Sequence, residues 1–485
     1  MPIMTGKEYL ESLRDLKTQV YMFGVREAQW VDHPILRPTL NAAAMTYNLA
    51  ANAEGQELFT AFSAETGNRI SRFSQLLTSG TDVQRKADML RDISFRTATL
   101  SGRSPGLDAL NAVFSATARI DEESGQTAYH ENFRKYLTYI QESDFSVGGA
   151  AEDGGAVQSA FDGAGPLRIK ERTDEGIVVS GCKRFPAGAF GSHEYLILPG
   201  GACDESQKNF AVAFAVPADA EGLFLLYGRR PSDTRRLEVY ADTDVGNRAF
   251  GQQQALLFFD NVFVPHERVF LAGEAAYAGV LAQRFAEYRA HSLAAEKAGV
   301  GDALIAAVRL ATEYGGTYYA QDVQDPLARM TELNETLFAL VTACSAGTAP
   351  ASGGNCKIDP VFTALLERPI LRTPTKITHI ALRIIAETLL SLPSKADFSA
   401  DIPVQTAAGK TLGEWTAEAF RGAGAEAPER LRLLRLIEDI CLGSGAAGYL
   451  AARVPRGWLS LHQALIERGT AEKAEARIKT LAGIQ

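Results

Sequence analysis

A glycine-rich stretch, SVGGAAEDGG at 146–155, divides this chain into parts of different texture. Four glycines in ten residues cannot hold a regular helix at low cost. Before it, apolar residues recur at helical spacing. Tyr9, Leu10, Leu13 and Leu16 follow Thr5-Gly6-Lys7-Glu8, which reads as a capping box. Asp32-His33-Pro34 marks a break, and further helical patterns cover 56–96, 106–121 and 127–142. After the switch come short β-like runs at 176–180, 194–198, 210–216, 222–227 and 255–259, punctuated by Gly, Pro, Asp and Asn. That pattern predicts an antiparallel barrel or sandwich, closed by DNVFVPHERVF (260–270) with its stop at Pro265. From 276 the periodicity is helical again. The 279–312 segment reads as one long helix, or as two with a break near Gly299-Val300-Gly301. Ile377, Ile380, Ile384 and Ile385 form one apolar stripe, and Leu431, Leu434, Ile437 and Cys441 another, as in a helical bundle. The expected class is α+β, with helices over 1–145, a β domain over 146–275 and a helical bundle over 276–485.

Composition narrows the function classes. The 485 residues are 46% hydrophobic and carry a net charge of -9 without a long basic run, which argues against a nucleic-acid partner. The longest apolar stretches fall well short of the roughly 20 residues that span a bilayer. The N-terminus lacks the basic patch and apolar run of a signal peptide, so a cytoplasmic protein with no membrane partner is expected. Five cysteines, none in a C-x-x-C pair, predict reduced thiols and no metal site. His193 reads as a structural histidine and His266 as an exposed one. No H-E-x-x-H, P-loop or Rossmann glycine motif is present.

Local sequences carry a resemblance: TGKEYLESL (5–13), VYMFG (20–24), WVDHPILRP (30–38), DALNAVFSAT (108–117), NFRKYLTYIQE (132–142), GLFLLYGR (222–229), FDNVFVP (259–265), MTELNETL (330–337), LPSKADF (392–398) and ICLGSGAAGY (440–449). By these the chain resembles the 4-hydroxybutyryl-CoA dehydratases, within the superfamily that also holds the 4-hydroxyphenylacetate 3-hydroxylases. The resemblance implies an acyl-CoA dehydrogenase-like fold, with a flavin between the β domain and the bundle. It also implies a [4Fe–4S] cluster held by three cysteines and a histidine. The corresponding positions here are Leu100, Ser104, Arg289 and Glu296. No cluster ligand is retained, so no iron–sulfur cluster and no other metal is expected. Other implied active-site positions have changed as well, to Leu293, Gln254, Ala452 and Ala187, while Lys297 is kept. Arg289 and Glu296 lie two helical turns apart, and an internal charge pair is expected where the cluster would sit.

The hydroxylase branch carries a G-R-T-P-D-Y segment whose arginine and tyrosine hold a phenol. Here the segment is Gly102-Arg103-Ser104-Pro105-Gly106-Leu107, and the further histidine position reads Gly149. Arg103 is thus expected to orient a carboxylate, phosphate or thioester rather than a phenol. The flavin face implied by the resemblance comprises 147–156 and 183–194, giving Asp153, Gly154, Gly155, Ala187, Gly188 and Ser192 as cofactor candidates. The D-P-x-x-D-R or N-P-P-x-D-R signature usual in the first loop is absent. Arg103, Lys297, Gln254, Arg289 and Glu296 are the catalytic candidates. The implied function is an FAD-dependent oxidoreductase, a monooxygenase using reduced FAD and O2 on a non-phenolic or acyl-thioester substrate. A flavin reductase partner and a homodimer or homotetramer go with it. Two alternatives stand beside it: an acyl-CoA isomerase or dehydratase-like lyase without the cluster, and a flavin-free paralogue with non-redox chemistry.

Overall fold

The computed structural model describes residues 3–125, 127–154, 165–184, 188–399, 407, 409–454, 459–467 and 469–484. The chain opens on the helix Gly6–Asp15, capped as its sequence predicts: the Thr5 hydroxyl accepts from the Glu8 N–H and the Glu8 carboxylate accepts from the Thr5 N–H. The helices Gly80–Thr97, Ser104–Ser124 and Tyr129–Ser143 follow. The helical reading of 56–96 is corrected in its first half. There a four-residue helix leads into a hairpin, Thr60–Phe62 against Arg69–Ser71. Arg72 stabilises that hairpin by donating to the carbonyls of Leu58, Glu57 and Thr60, a tertiary link that periodicity does not register.

Among the described residues, two sheets form the middle of the molecule, and neither closes into a barrel. The larger has six strands in the order 25–26, 19–22, 223–228, 254–265, 176–183, 168–172; the smaller has four, in the order 269–272, 212–217, 194–197, 147–150. Gln19–Met22, from the N-terminal part, pairs parallel with Leu223–Gly228, and Val147–Ala150 pairs parallel with Glu194–Ile197. The expectation of a wholly antiparallel arrangement is therefore corrected. Each parallel pair joins strands separated by a long excursion of chain, the geometry that a crossover requires. One apolar core is shared by the two sheets, with Phe214 and Phe259 meeting edge to face across it.

The four-stranded sheet is buried on both faces, which explains its unbroken apolar runs. Along 194–198 and 212–216, Tyr195, Ile197, Val212, Phe214 and Val216 face the sandwich. Leu196, Leu198, Ala213 and Ala215 face the helices instead. Those helices are dominated by one of 40 residues, Ala275–Tyr314, which runs unbroken through Gly299 and Gly301. These glycines are sites of close approach. A Cβ at 299 would overlap the Arg91 carbonyl oxygen, and one at 301 the Asn334 amide. Pro360–Leu389 and Ala427–Leu442 complete the packing, with Ile377, Leu431, Leu434, Ile437 and Cys441 all buried. Among the described residues all five cysteines are free, and no helix is long and apolar enough to cross a membrane.

Candidate active site

A cleft of about 300 Å³ opens where the edge strand Val147–Ala150 meets the long helix. The short helix Ser444–Ala451 and the residues after it supply a third wall. The lining includes Leu100, Pro105, Gly149 and Phe285, with Ala447, Ala451 and Ala452 from the third wall. Its polar side chains are Glu152, Arg184, Gln252, Gln254, Arg289 and Arg453.

Behind the cleft lies a buried ionic cluster. Arg289 Nη2 donates to Glu296 Oε2 at 3.0 Å, and Arg289 Nη1 donates to Ser104 Oγ at 2.9 Å. Ser104 in turn donates its hydroxyl to Glu296. Asp108 Oδ2 stands 3.6 Å from Arg289 Nη1. The other Asp108 oxygen accepts from Ser292 Oγ at 2.6 Å and from Lys86 Nζ at 3.2 Å. The side chains of Lys86, Asp108 and Glu296 are fully buried, and that of Arg289 is 7% exposed where it reaches the cleft wall. With all four ionised, the two cations balance the two carboxylates. Burial raises the carboxyl pKa of Glu296, against the pull of Arg289 and the Ser104 hydrogen bond. Burial also lowers the Lys86 ammonium, with Asp108 opposing it. For Arg289, Glu296 and Asp108 outweigh burial and hold the guanidinium firmly charged.

The structure thus joins Arg289 and Glu296 as the seven-residue spacing predicts. Gln254 opens the 254–265 strand, half-buried on the cleft wall. Lys297 does not share the pair: its ammonium donates to the backbone carbonyls of Ile370 (3.0 Å) and Ala452 (2.9 Å). Burial, reinforced by Arg289, lowers its pKa to about 7. Arg103 is not part of the cleft lining. Its guanidinium lies between the rings of Tyr47 and Phe73, 4.0 and 4.6 Å from their centroids, and donates to Thr46 Oγ1.

The cofactor candidates hold the β domain together. Asp153 pairs with buried Lys183 at 2.7 Å, and Lys183 also donates to the Ala151 and Leu198 carbonyls, which pins the strand leading into the cleft. Gly154 packs on Cys182 so closely that a Cβ would stand 2.5 Å from its sulfur. Gly188, at φ +83°, lies against the Gly102 carbonyl, and Ser192 donates to the Gly188 carbonyl at 2.8 Å. Gly155 and Ala187 lie outside the described residues. His193 stacks on Phe145, accepts from the Ser146 N–H and meets Ser12 Oγ at 2.8 Å. Burial depresses its pKa to about 3, which makes it a neutral structural histidine. His266 is exposed.

Sequence reasoning missed Asp108, Lys86, Ser292, Gln252, Arg184 and Arg453. Two of these left a signal. Asp108 lies one helical turn after Ser104 on the same face. Lys86 shares a helical face with buried Val83, Leu90 and Ile93, an unusual place for an ammonium group.

Comparison with known proteins places this architecture. The 4-hydroxyphenylacetate 3-hydroxylase N-terminal profile matches residues 5–271, and the C-terminal profile matches 278–454. The chain belongs to the 4-hydroxyphenylacetate 3-hydroxylase family. Within it, the chain is 44% identical to the 4-hydroxybutyryl-CoA dehydratase/vinylacetyl-CoA-Delta-isomerase of Clostridium aminobutyricum, over 92% of each chain. It is 27% identical to the 4-hydroxyphenylacetate 3-monooxygenase oxygenase component of Thermus thermophilus, over 93% of this chain and 91% of the relative. An oxygen-tolerant archaeal 4-hydroxybutyryl-CoA dehydratase from N. maritimus superposes with a TM-score of 0.90 at 33% identity, covering 100% of this chain and 95% of that one. The oxygenase component HpaB complexed with FAD and 4-hydroxyphenylacetate shares the fold, with a TM-score of 0.81 at 23% identity over 99% and 98% of the two chains.

Proposed function

We propose that this member of the 4-hydroxyphenylacetate 3-hydroxylase family is an FAD-dependent oxidoreductase of monooxygenase type, acting on a small non-phenolic, acyl-type substrate. The observation that carries the reading is the character of the cleft wall. Among its described residues there is no histidine, cysteine, lysine or tyrosine, and Glu152 is the one carboxylate. Arginines and amides orient charge and carbonyl groups but do not move protons at neutral pH. Such a wall suits chemistry supplied by a bound cofactor, with the protein binding, orienting and excluding water.

The residues present fit a flavin. Among the described residues, the edge strand Val147–Ala150 has a strand partner on one side only, with the other side beside the cleft. Gln252 adds a buried amide oxygen with no hydrogen-bond partner among the described residues. When bound in its reduced form, FAD supplies the activation of O2. Arg289 and Gln254 hold a carbonyl or carboxylate of the substrate, and Glu296 with Asp108 keeps Arg289 charged and fixed. Leu107 and Gly149 stand where the hydroxylase resemblance places a tyrosine and a histidine, which disfavours a phenol. Relatives named as oxygenase components support a separate flavin reductase as partner. Assembly as a homodimer or homotetramer in the cytoplasm is part of the same proposal.

The residues do not fit an iron–sulfur cluster. Leu100 has no donor atom, Arg289 stays protonated, and Ser104 and Glu296 are engaged with each other and with Arg289. A second reading, acyl-CoA isomerisation or dehydratase-like elimination without the cluster, is favoured by the 44% identity to the dehydratase/isomerase. A flavin-free paralogue is the third.

One set of measurements separates them. The purified protein is incubated with FAD, reduced FAD and O2, and with vinylacetyl-CoA under argon. Flavin uptake, O2 consumption with reduced flavin, and substoichiometric iron and sulfide are expected. Thioester isomerisation without O2 consumption would replace the first reading by the second. Failure to take up either form of FAD would leave only the third.

A further inference from the structure

The sequence Gln252-Gln253-Gln254 lies along the cleft wall, and its three amides have different surroundings. Gln253 does not line the cleft and is anchored at both ends. Its N–H donates to Thr39 Oγ1 at 2.8 Å, and its side-chain NH2 donates to Asp233 Oδ1 at 2.8 Å. Asp233, 1% exposed, also accepts from Tyr227 OH, from the Arg230 N–H and from Ser444 Oγ. This carboxylate therefore ties the end of the 223–228 strand, the glutamine run and the start of the 444–451 helix to one another. The extended chain alternates, so Gln252 and Gln254 line the cleft on either side of this anchor.

Gln252 is 5% exposed, yet its Oε1 has no hydrogen-bond partner among the described residues. A buried amide oxygen left unpaired costs about 1–3 kcal/mol, and the neighbouring Gln253 Oε1 is unpaired as well, away from the cleft. The residue facing it supplies an independent observation. Gly448 sits inside the 444–451 helix, where glycine costs roughly 1 kcal/mol relative to alanine. A Cβ at 448 would stand 2.7 Å from Gln252 Oε1. The glycine makes room for that oxygen against the helix, beside the small cavity that Gly448 lines.

We propose that Gln252 is a specificity-determining residue of this cleft, whose amide oxygen accepts a hydrogen bond from an N–H or O–H donor on the bound molecule. The inference rests on the reading of the cleft as a flavin and acyl-substrate site. Two sources of donor are compatible with it: the imide N–H of the flavin ring and a hydroxyl on the acyl chain. A small cavity of about 20 Å³, lined by Gln252, Gln253 and Tyr449, lies next to the cleft. It has room for about one water, so a water-bridged contact with the Tyr449 hydroxyl is the competing partner for the same oxygen.

The experiment uses wild type, Gln252→Leu and Tyr449→Phe with four probes: FAD, N3-methylated FAD, 4-hydroxybutyryl-CoA and butyryl-CoA. If the donor is the flavin imide, Gln252→Leu weakens FAD about tenfold, N3-methylation weakens wild type similarly, and the two losses do not add. If the donor is a substrate hydroxyl, FAD affinity is unchanged. Wild type then prefers 4-hydroxybutyryl-CoA over butyryl-CoA by about tenfold, and Gln252→Leu loses the preference. Either result supports the proposal, with Tyr449→Phe behaving as wild type. Unchanged affinity of Gln252→Leu for all four probes overturns it, as does a Tyr449→Phe variant that reproduces the loss. Wild type that binds none of the probes overturns the flavin reading itself and this inference with it.

Discussion

Glu296→Gln tests whether the Arg289–Glu296 pair organises the cleft. The amide has nearly the shape of the carboxylate and keeps one oxygen for Arg289, while its NH2 replaces the oxygen that accepts from Ser104, so the change removes charge and one acceptor rather than volume. The pair is 3.0 Å apart, with side-chain exposures of 7% and 0%, so solvent screens it little. Removing one partner of such a pair typically costs 3–5 kcal/mol, because the remaining charge stays buried. Asp108, 3.6 Å from Arg289, supplies part of the missing counter-charge, which places Glu296→Gln near the lower end, at about 3 kcal/mol. Arg289→Gln carries a comparable penalty by stranding Glu296. The double variant removes both charges and leaves Lys86 and Asp108 balanced, so its loss falls well short of the sum, with a coupling of about 2–3 kcal/mol. Urea unfolding of the four proteins measures this from midpoints at constant slope. Losses below about 1 kcal/mol, or additivity within about 0.5 kcal/mol, would mean that the two charges act independently. The account of a closed ionic cluster behind the cleft would then be wrong.

Other perturbations follow from single environments. Burial raises the Asp144 carboxyl from 3.8 to about 6, after the opposing attraction of Arg103 is included. Between those pH values the native state keeps a proton that the unfolded chain releases, so stability falls as pH rises through the window. Asp144→Asn, which suits the left-handed φ of 49° and still accepts from the Met4 N–H, should gain about 2–3 kcal/mol above pH 6 and nothing near pH 4. Unfolding curves at pH 4, 5, 6 and 7.5 check the sign. Gly299→Ala should destabilise by about 1–3 kcal/mol despite its better helix propensity, since its Cβ meets the backbone of the 80–97 helix; a stabilised variant would contradict the close approach. Half-buried Cys203 should react first with a thiol reagent. Cys182 and Cys356, with pKa values raised by burial to about 11, and Cys344 and Cys441, raised to about 12, should react only on unfolding.

Much of the fold was legible because its signals are local. The Thr5–Glu8 capping box, the stripe on 427–442 and the stop at Pro265 each depend on residues a turn or two apart. The Arg289–Glu296 contact was legible for the same reason, being set by helical geometry alone. Other features were not. Gly299 and Gly301 look like a break until the 80–97 and 321–346 helices are seen against them. Arg103 matched a substrate-binding motif, yet its environment comes from Tyr47 and Phe73, distant in sequence. Gln252 carried no signal, because its significance is the absence of a partner in three dimensions.

The sequence by itself determined that strands prevail after the glycine-rich segment, which helix faces are apolar and which ligand types the four cluster positions can offer. These are matters of periodicity, turn chemistry and side-chain donors, which each residue carries with it. Only the tertiary structure decided that the sheets stay open, that two strand pairs run parallel, that Lys86 and Asp108 complete the charge balance around Arg289, and which glutamines line the cleft. Those outcomes depend on packing between segments up to some 200 residues apart, where close approach and burial set the energies.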